Sequence, residues 1–179
     1  MNQEWKTDYY RMTGTEYKPG FKSFITVVVS HQIRYMKLWR KAHFRRTLWR
    51  RFRLIRYARK YGLEISYDAE IGSGCYLGHP YNVTVGSGVK IGDNVNLHKG
   101  CTIGRENRGK RAGVPTIGNC VSVGINATVV GNIKIGNDVM IASNSFVNFD
   151  VPDHSIVIGS PGVIHQKDNA TKGYIGFLV

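Results

Sequence analysis

A period of six residues runs through the last two thirds of the chain and excludes most folds. In "VSVGINATVVGNIKIGNDVMIASNSFVNFDV", Val121 to Val151, an aliphatic residue recurs every six, followed in all but the second pair by a smaller or polar one, at Val123-Gly124, Val129-Val130, Ile135-Gly136, Ile141-Ala142 and Val147-Asn148. Working back, apolar positions fall at Ile65, Ile71 and Leu77. They resume after two extra residues at Val85, Ile91, Leu97 and Ile103, and after a longer interruption at Ile117. A helix repeats at about 3.6 residues and an ordinary strand at about two, so neither produces this spacing. A β-sandwich of short alternating strands needs hairpin turns as well as period two, and the chain keeps neither.

Six residues per repeat fit a chain coiled into a triangular prism, each face a short parallel strand and three hexads making one coil. The aliphatic residue then points inward and stacks on its equivalents above and below, and the small residue beside it permits a sharp corner. Asn94, Asn119, Asn126, Asn137 and Asn144 suit such corners. The expected fold is mainly β, a parallel β-helix of hexapeptide repeats preceded by an α-helical segment. The expected divisions are a basic helical segment over 1–62, the β-helix over 63–166 with an extruded loop at 105–116, and a tail over 167–179.

The charge is divided as unevenly as the pattern. Met1 to Leu63 holds 16 Lys and Arg against 3 acids, whereas Glu64 to Val179 holds 9 against 9. Bulky apolar residues in the first part fall at helical spacing, at Phe24, Val28, Tyr35 and Trp39 and then at Leu48, Phe52 and Ile55. They predict two helices, 21–41 and 44–61, packed against the first coils, with Gly62 as the stop. Three uses of the basic helices compete: solvated packing, contact with a membrane or an anionic glycan, and nucleic-acid binding. Large apolar residues between the arginines favour packing, and no nucleic-acid motif accompanies them. Three widely spaced cysteines, Cys75, Cys101 and Cys120, form no CxxC pair, so neither a disulfide framework nor a thiolate metal site is expected. The polar start "MNQEWKTDYY" and the short apolar run "FITVVV" lead us to expect no signal peptide and no membrane span, and a cytoplasmic location that extends at most to the inner face of the membrane.

The repeat, the helical lead-in, the interrupting loop, the "LGHPYNVTVG" segment and the ending "VPDHSIVIGSPGVI" together make this chain resemble the serine O-acetyltransferase branch of the hexapeptide-repeat acyltransferases, from Pro19 to about Gln166. The resemblance implies a left-handed β-helix, a homotrimer with sites between subunits, and acetyl-CoA as donor, without a metal. It carries the catalytic base over to His79 and the orienting carboxylate to Glu64, where the family has Asp. An imidazole suits the task, because it titrates near neutrality and can take a hydroxyl proton and later return one to the CoA thiolate.

Departures from the family bear on the acceptor. The family's Asp before the catalytic His is Gly78 here, and its Arg-His pair at the end of the loop is Gly113-Val114, so the groups that grip a zwitterion are gone. The chain is most similar to the short-helix members that acetylate saccharide hydroxyls on capsule, exopolysaccharide or lipopolysaccharide units. Serine is the alternative acceptor. A non-catalytic or zinc-dependent β-helix is the alternative of another class, and zinc would need three convergent histidines. His98 is the rival base or an acceptor contact. Asn107 and Arg108 in "RENRGKRAGVP" are expected at the acceptor, since insertions of this length in compact folds are usually functional. Gly124, Ala142 and Ser143, with Gly159 and Pro161, are expected along the CoA arm, and Lys167 at its adenosine phosphate. His154 and His165 are read as surface residues, and His31 and His43 as satisfied packing.

Overall fold

The computed structural model describes residues 4–179. Four helices precede the β-helix: α1 (Glu4–Thr13), α2 (Phe21–Val29), α3 (His31–Phe44) and α4 (Leu48–Arg59). The strands then wind in threes. Face A carries β1 (Glu64–Ile65), β4 (Thr84–Val85), β7 (Thr102–Gly104), β10 (Thr128–Val130) and β13 (Phe146–Val147). Face B carries β2 (Glu70–Ile71), β5 (Lys90–Ile91), β8 (Thr116–Ile117) and β11 (Lys134–Ile135). Face C carries β3 (Tyr76–Gly78), β6 (Asn96–His98), β9 (Ser122–Val123), β12 (Val139–Ile141) and β14 (Ser155–Ile158), closed by the antiparallel β15 (Val163–Gln166).

All other strand pairs are parallel and in the register that the hexads demand. Ile65 faces Val85, Ile71 faces Ile91, Leu77 faces Leu97, and each is buried, as are the remaining aliphatic positions up to Val147. The fold is the left-handed β-helix expected from the sequence. The corner between faces B and C explains the small residue after the aliphatic one. There Asp93 N–H donates to the Asn119 side-chain oxygen at 2.8 Å, Asn119 N–H to Asn137 at 2.8 Å and Asn137 N–H to Asp153 at 2.7 Å, a ladder running from coil to coil. A Cβ on Gly92 would stand 2.4 Å from the Asn119 oxygen, so a side chain there would displace a rung.

The helical part departs from expectation. The segment expected as one helix from 21 to 41 is two, divided at Ser30, whose backbone is extended (φ −78°, ψ 108°). The β-branched run Thr26 to Val29 before it favours ending a helix, because its side chains lose rotamer freedom there. The second expected helix, 44–61, is shortened to Leu48–Arg59, and α1 was not foreseen. Only Tyr35 and Trp39 of the seven apolar positions are core residues. Phe24, Val28, Leu48, Phe52 and Ile55 are exposed, so the expectation that these residues pack against the first coils is overturned. What holds the helices to the prism lies elsewhere. Trp39 Nε1 donates to the Ser66 carbonyl at 3.1 Å, and the wholly buried Arg40 meets both Asp8 oxygens at 2.9 Å and the carbonyls of Ile71 and Gly72.

The last residues run back along face C. Asp138 accepts from Ala170 N–H at 3.0 Å and from Thr171 N–H at 2.9 Å, Asn96 donates to the Tyr174 carbonyl at 3.0 Å, and Asn94 exchanges two bonds with Val179. Burial nudges the Asp138 carboxyl upward, but hydrogen bonds from His154, Thr171 and Ala170 outweigh it and hold it at about 2. The bond to Asp138 raises the His154 imidazole above its ordinary 6.5. The Asp138 contribution to this clasp is therefore complete above the ordinary Asp value of 3.8 and is lost as pH falls through about 2. The His154 contribution is complete below 6.5 and is lost as pH rises through its higher folded value. The protection of the Thr171 amide, its exchange rate relative to the intrinsic rate at each pH, is expected to be highest between those limits and lower on either side; protection that does not change with pH would show that the clasp does not hold the segment.

Candidate active site

The two extra residues between Leu77 and Val85 enlarge one corner, where face C of the first coil turns into face A of the second. Other turns at this corner follow a tight pattern, in which Gly100 N–H donates to the Tyr81 carbonyl, Asn126 N–H to Lys99 and Asn144 N–H to Ile125. The enlarged turn pushes His79 and Tyr81 out to solvent around the buried Pro80. His79 takes a left-handed backbone (φ 49°), uncommon outside glycine although His, like Asn and Asp, adopts it more often than other side chains. Its carbonyl accepts from Tyr81 N–H at 2.8 Å. Glu64 is exposed at the start of β1, just past the same corner one coil earlier. Among the described residues, no hydrogen bond joins its carboxylate to His79.

His98 stands directly above. It pairs with Gly78 in the β3–β6 register, and its ring occupies the space a side chain at 78 would need, since a Cβ there would lie 2.4 Å from Nδ1. Burial, and secondly the charge of His79, pushes the half-buried His98 imidazole below its ordinary value, which keeps it neutral at physiological pH. His31, at the start of α3, approaches from the helical side. Its ring stacks on Tyr61 at 4.8 Å and leans on Tyr81 at 5.3 Å, and its Nε2 is buried without a partner. Satisfied packing was expected for both His31 and His43; it holds at His43, whose Nδ1 meets the Tyr67 carbonyl at 2.9 Å while its ring stacks on Trp39, and not at His31. His165 is exposed as expected. His154 is exposed too, yet engaged with Asp138 at 2.8 Å.

Above His98 the next two residues in its own column, Gly124 and Ala142, are small. His98, Gly124, Ala142 and Ser143 line one cleft of 170 Å³ with Ser122, Met140 and Tyr174. Tyr174 was missed by sequence reasoning, because nothing in a tail without hexads announces that it folds back over the prism. Gly159 continues the same corner, its N–H donating to Ser145 Oγ at 3.0 Å, with Pro161 exposed beside it in the β14–β15 turn. With strands about 4.8 Å apart, the line from His79 to Gly159 spans four coils or about 19 Å. Lys167 is not part of it. Its N–H bonds to the His154 carbonyl at 2.8 Å, at the opposite edge of face C.

Asn107 and Arg108 are also apart from His79 within one chain. The loop leaves face A after β7 and enters face B at β8. It is braced by the Glu106–Gly113 bridge, by Arg111 donating to the Asn148 carbonyl, and by Asn107 N–H to Glu106 Oε1 at 2.9 Å. That is a different corner of the prism, and both side chains are exposed there. Cys75 and Cys101 are buried, and burial raises both thiols to about 12, which suits packing and not nucleophilic work. Among the described residues, no group of three or more His, Cys, Asp or Glu is placed to hold a metal.

Comparison with known proteins agrees with this architecture. Residues 68–105 match the bacterial transferase hexapeptide (six repeats) family. A serine acetyltransferase of Staphylococcus aureus strain Mu50 is 41% identical over 114 residues, 63% of this chain and 53% of that protein. One from Helicobacter pylori is 39% identical over 107 residues, 60% of this chain and 63% of that protein. The chain thus spans between half and two thirds of the length of these relatives. Among solved structures, serine acetyltransferase from Brucella abortus in complex with coenzyme A superposes with a TM-score of 0.75 at 25% identity, covering 93% of this chain and 68% of that one. Serine acetyltransferase from Neisseria gonorrhoeae in complex with serine gives 0.72 at 26% identity, over 90% and 66%. The chain carries the hexapeptide-transferase repeat and shares the β-helix and part of the helical lead-in of the serine acetyltransferases.

Proposed function

We propose that this hexapeptide-repeat β-helix is an acetyl-CoA-dependent O-acetyltransferase that acts on a saccharide hydroxyl by direct transfer, with His79 as general base. The observation that carries the acetyl-transfer reading is the corner line itself, an exposed imidazole at one end and, beyond the coil that carries His98, the small residues Gly124, Ala142 and Ser143. His79 takes the proton of the acceptor hydroxyl while the oxygen attacks the thioester carbonyl. The C–S bond of the tetrahedral intermediate then breaks, and the imidazolium returns the proton to the departing CoA thiolate. Glu64, at the same corner, steadies the imidazolium once the substrates draw the two side chains together. The donor arm lies along Gly124, Ala142 and Ser143 towards Gly159 and Pro161, where backbone can be approached closely. Lys167, at the far edge, is left out of this reading.

The relatives' names favour serine as acceptor over a saccharide, and serine stands as the second reading. Against it stand Gly78, Gly113 and Val114, where the resemblance puts the zwitterion-gripping groups. The His98 ring already fills the space that an aspartate at 78 would need. The half-exposed Tyr81 instead offers a flat ring beside His79, against which a sugar face can lie. We also propose a homotrimer, because only a neighbouring copy could bring Asn107 and Arg108 from their own corner to His79.

Purified protein supplied with acetyl-CoA is expected to release free CoA thiol with a saccharide acceptor and to stay near the acceptor-free blank with L-serine. Serine-driven release would transfer the assignment to the serine reading. Release with neither would remove the transferase reading for the acceptors tried.

A further inference from the structure

The apolar positions of α2 and α4 that turned out to be exposed make two stripes. Phe21, Phe24 and Val28 follow one another along α2, and Leu48, Phe52 and Ile55 along α4, at helical spacing on each. Phe21 and Leu48 are 82% and 83% exposed, and Trp49, stacked on Phe52 at 5.8 Å, is 67% exposed. Inward-facing residues of the same helices, Val27, Leu54 and Ala58, already bury against the rest of the chain, so these stripes are additional apolar surface. Isolated exposed apolar residues are ordinary, whereas contiguous rows of large ones mark a contact.

Charge identifies the contact. From Phe21 to Leu63 the sequence holds 13 Lys and Arg and no Asp or Glu. Arg46 is paired with Asp68 of the prism, but Arg45, Arg53, Arg56 and Arg59 are exposed and have no acidic partner among the described residues. A second copy meeting this face with its own would bring two acid-free cationic surfaces together, and one meeting it with its prism, as in a three-fold ring, would offer 9 Lys and Arg against 9 acids and leave the cationic excess unneutralised. A nucleic-acid backbone would leave Phe21, Val28 and Leu48 in water. A bilayer with anionic headgroups satisfies both features, with apolar side chains below the headgroups and arginines among the phosphates. Among the described residues no helix is long and apolar enough to cross a membrane, so the helices would lie on it.

We infer that α2 and α4 form a docking surface for an anionic lipid bilayer. His31, at the junction of α2 and α3, leans on Tyr81 beside His79, so docking holds the candidate catalytic corner close to the lipid surface. The docking inference does not depend on which acceptor is used. For a saccharide acceptor, it favours a lipid-linked form over a free sugar.

The full chain should be mixed with phosphatidylcholine vesicles, and with vesicles in which a third of the lipid is phosphatidylglycerol. Trp5 and Trp39 are buried and Trp49 is exposed, so emission changes report chiefly on α4. With the anionic vesicles we expect cosedimentation, a blue shift lost in W49F, and quenching by brominated acyl chains. Affinity should be at least about tenfold weaker for neutral vesicles, in high salt or for the F24E/F52E double variant. Phe24 and Phe52 are both exposed, and an unchanged unfolding temperature of F24E/F52E verifies the fold. Equal affinity for neutral vesicles, or binding to neither kind, would overturn the inference. So would vesicle-independent association that F24E/F52E abolishes, which would assign the face to a second copy. Acetyl transfer to a soluble acceptor, measured in parallel without vesicles, keeps a failure of docking separate from a failure of the catalytic reading.

Discussion

His79→Ala is expected to lower turnover by at least about a hundredfold while leaving the far-ultraviolet spectrum, the unfolding temperature and acetyl-CoA binding as in the parent protein. The split follows from position. His79 is exposed on an enlarged corner and, among the described residues, is not one of those that form or pack against the apolar core, so its removal costs the β-helix little. Its positive φ makes Asn the gentler control, since Asn accepts that backbone conformation more readily than Ala and still provides no base. Equal losses in both variants would assign the effect to the imidazole, and a loss in Ala alone would assign it to the strained turn. His98 provides the second comparison. Its half-buried ring is held neutral and lines the cleft with Gly124 and Ala142, so His98→Gln should raise the KM for a substrate more than it lowers kcat. Turnover retained in His79→Ala and lost in His98→Gln would reverse the two roles.

The prism was legible in the sequence because each coil repeats one local rule. Ile65, Ile71, Leu77 and their successors must all point inward, and nothing distant can change that without breaking the stack. The Asn119-Asn137 ladder was legible only as a preference for turns. That these side chains accept from the coil beneath requires knowing which residues the winding superposes. The enlarged corner at His79 was visible as a two-residue excess in the spacing. The helices were less legible, because helical spacing of apolar residues reports a stripe and not what covers it. Phe24, Phe52 and Ile55 look the same in sequence as Tyr35 and Trp39, yet only the latter two meet the prism. Tyr174 and the clasp at Asp138 depend on a non-repetitive segment folding back across many residues, which no local pattern encodes.

Asp8→Ala is expected to destabilise the protein by about 3–5 kcal/mol, because it leaves a buried guanidinium with only the longer, 3.4 Å contact to the Glu4 carboxylate. Asp8 and Arg40 are both almost wholly buried, and their two parallel hydrogen bonds of 2.9 Å are the paired geometry that makes a guanidinium–carboxylate contact strong. Asp8 also accepts from Cys75 N–H at 2.9 Å, and Arg40 donates to the carbonyls of Ile71 and Gly72, so the pair ties α1 and α3 to the first coil. A β-helix cannot end on bare strands, whose unpaired backbone groups and apolar interior would face water. The three bonds to Cys75, Ile71 and Gly72 are therefore part of how the first coil is closed. For a chain of this size the loss corresponds to a fall of roughly 6–20 °C in unfolding temperature. The informative comparison is Asp8→Leu with Arg40→Met, which removes both charges and keeps apolar volume. It should recover most of the loss, since much of the cost of breaking a buried pair is the uncompensated charge that remains. If the double variant is as unstable as Asp8→Ala, the bonds to Cys75, Ile71 and Gly72 hold the helices, and the ion pair serves only to bring those donors and acceptors into place.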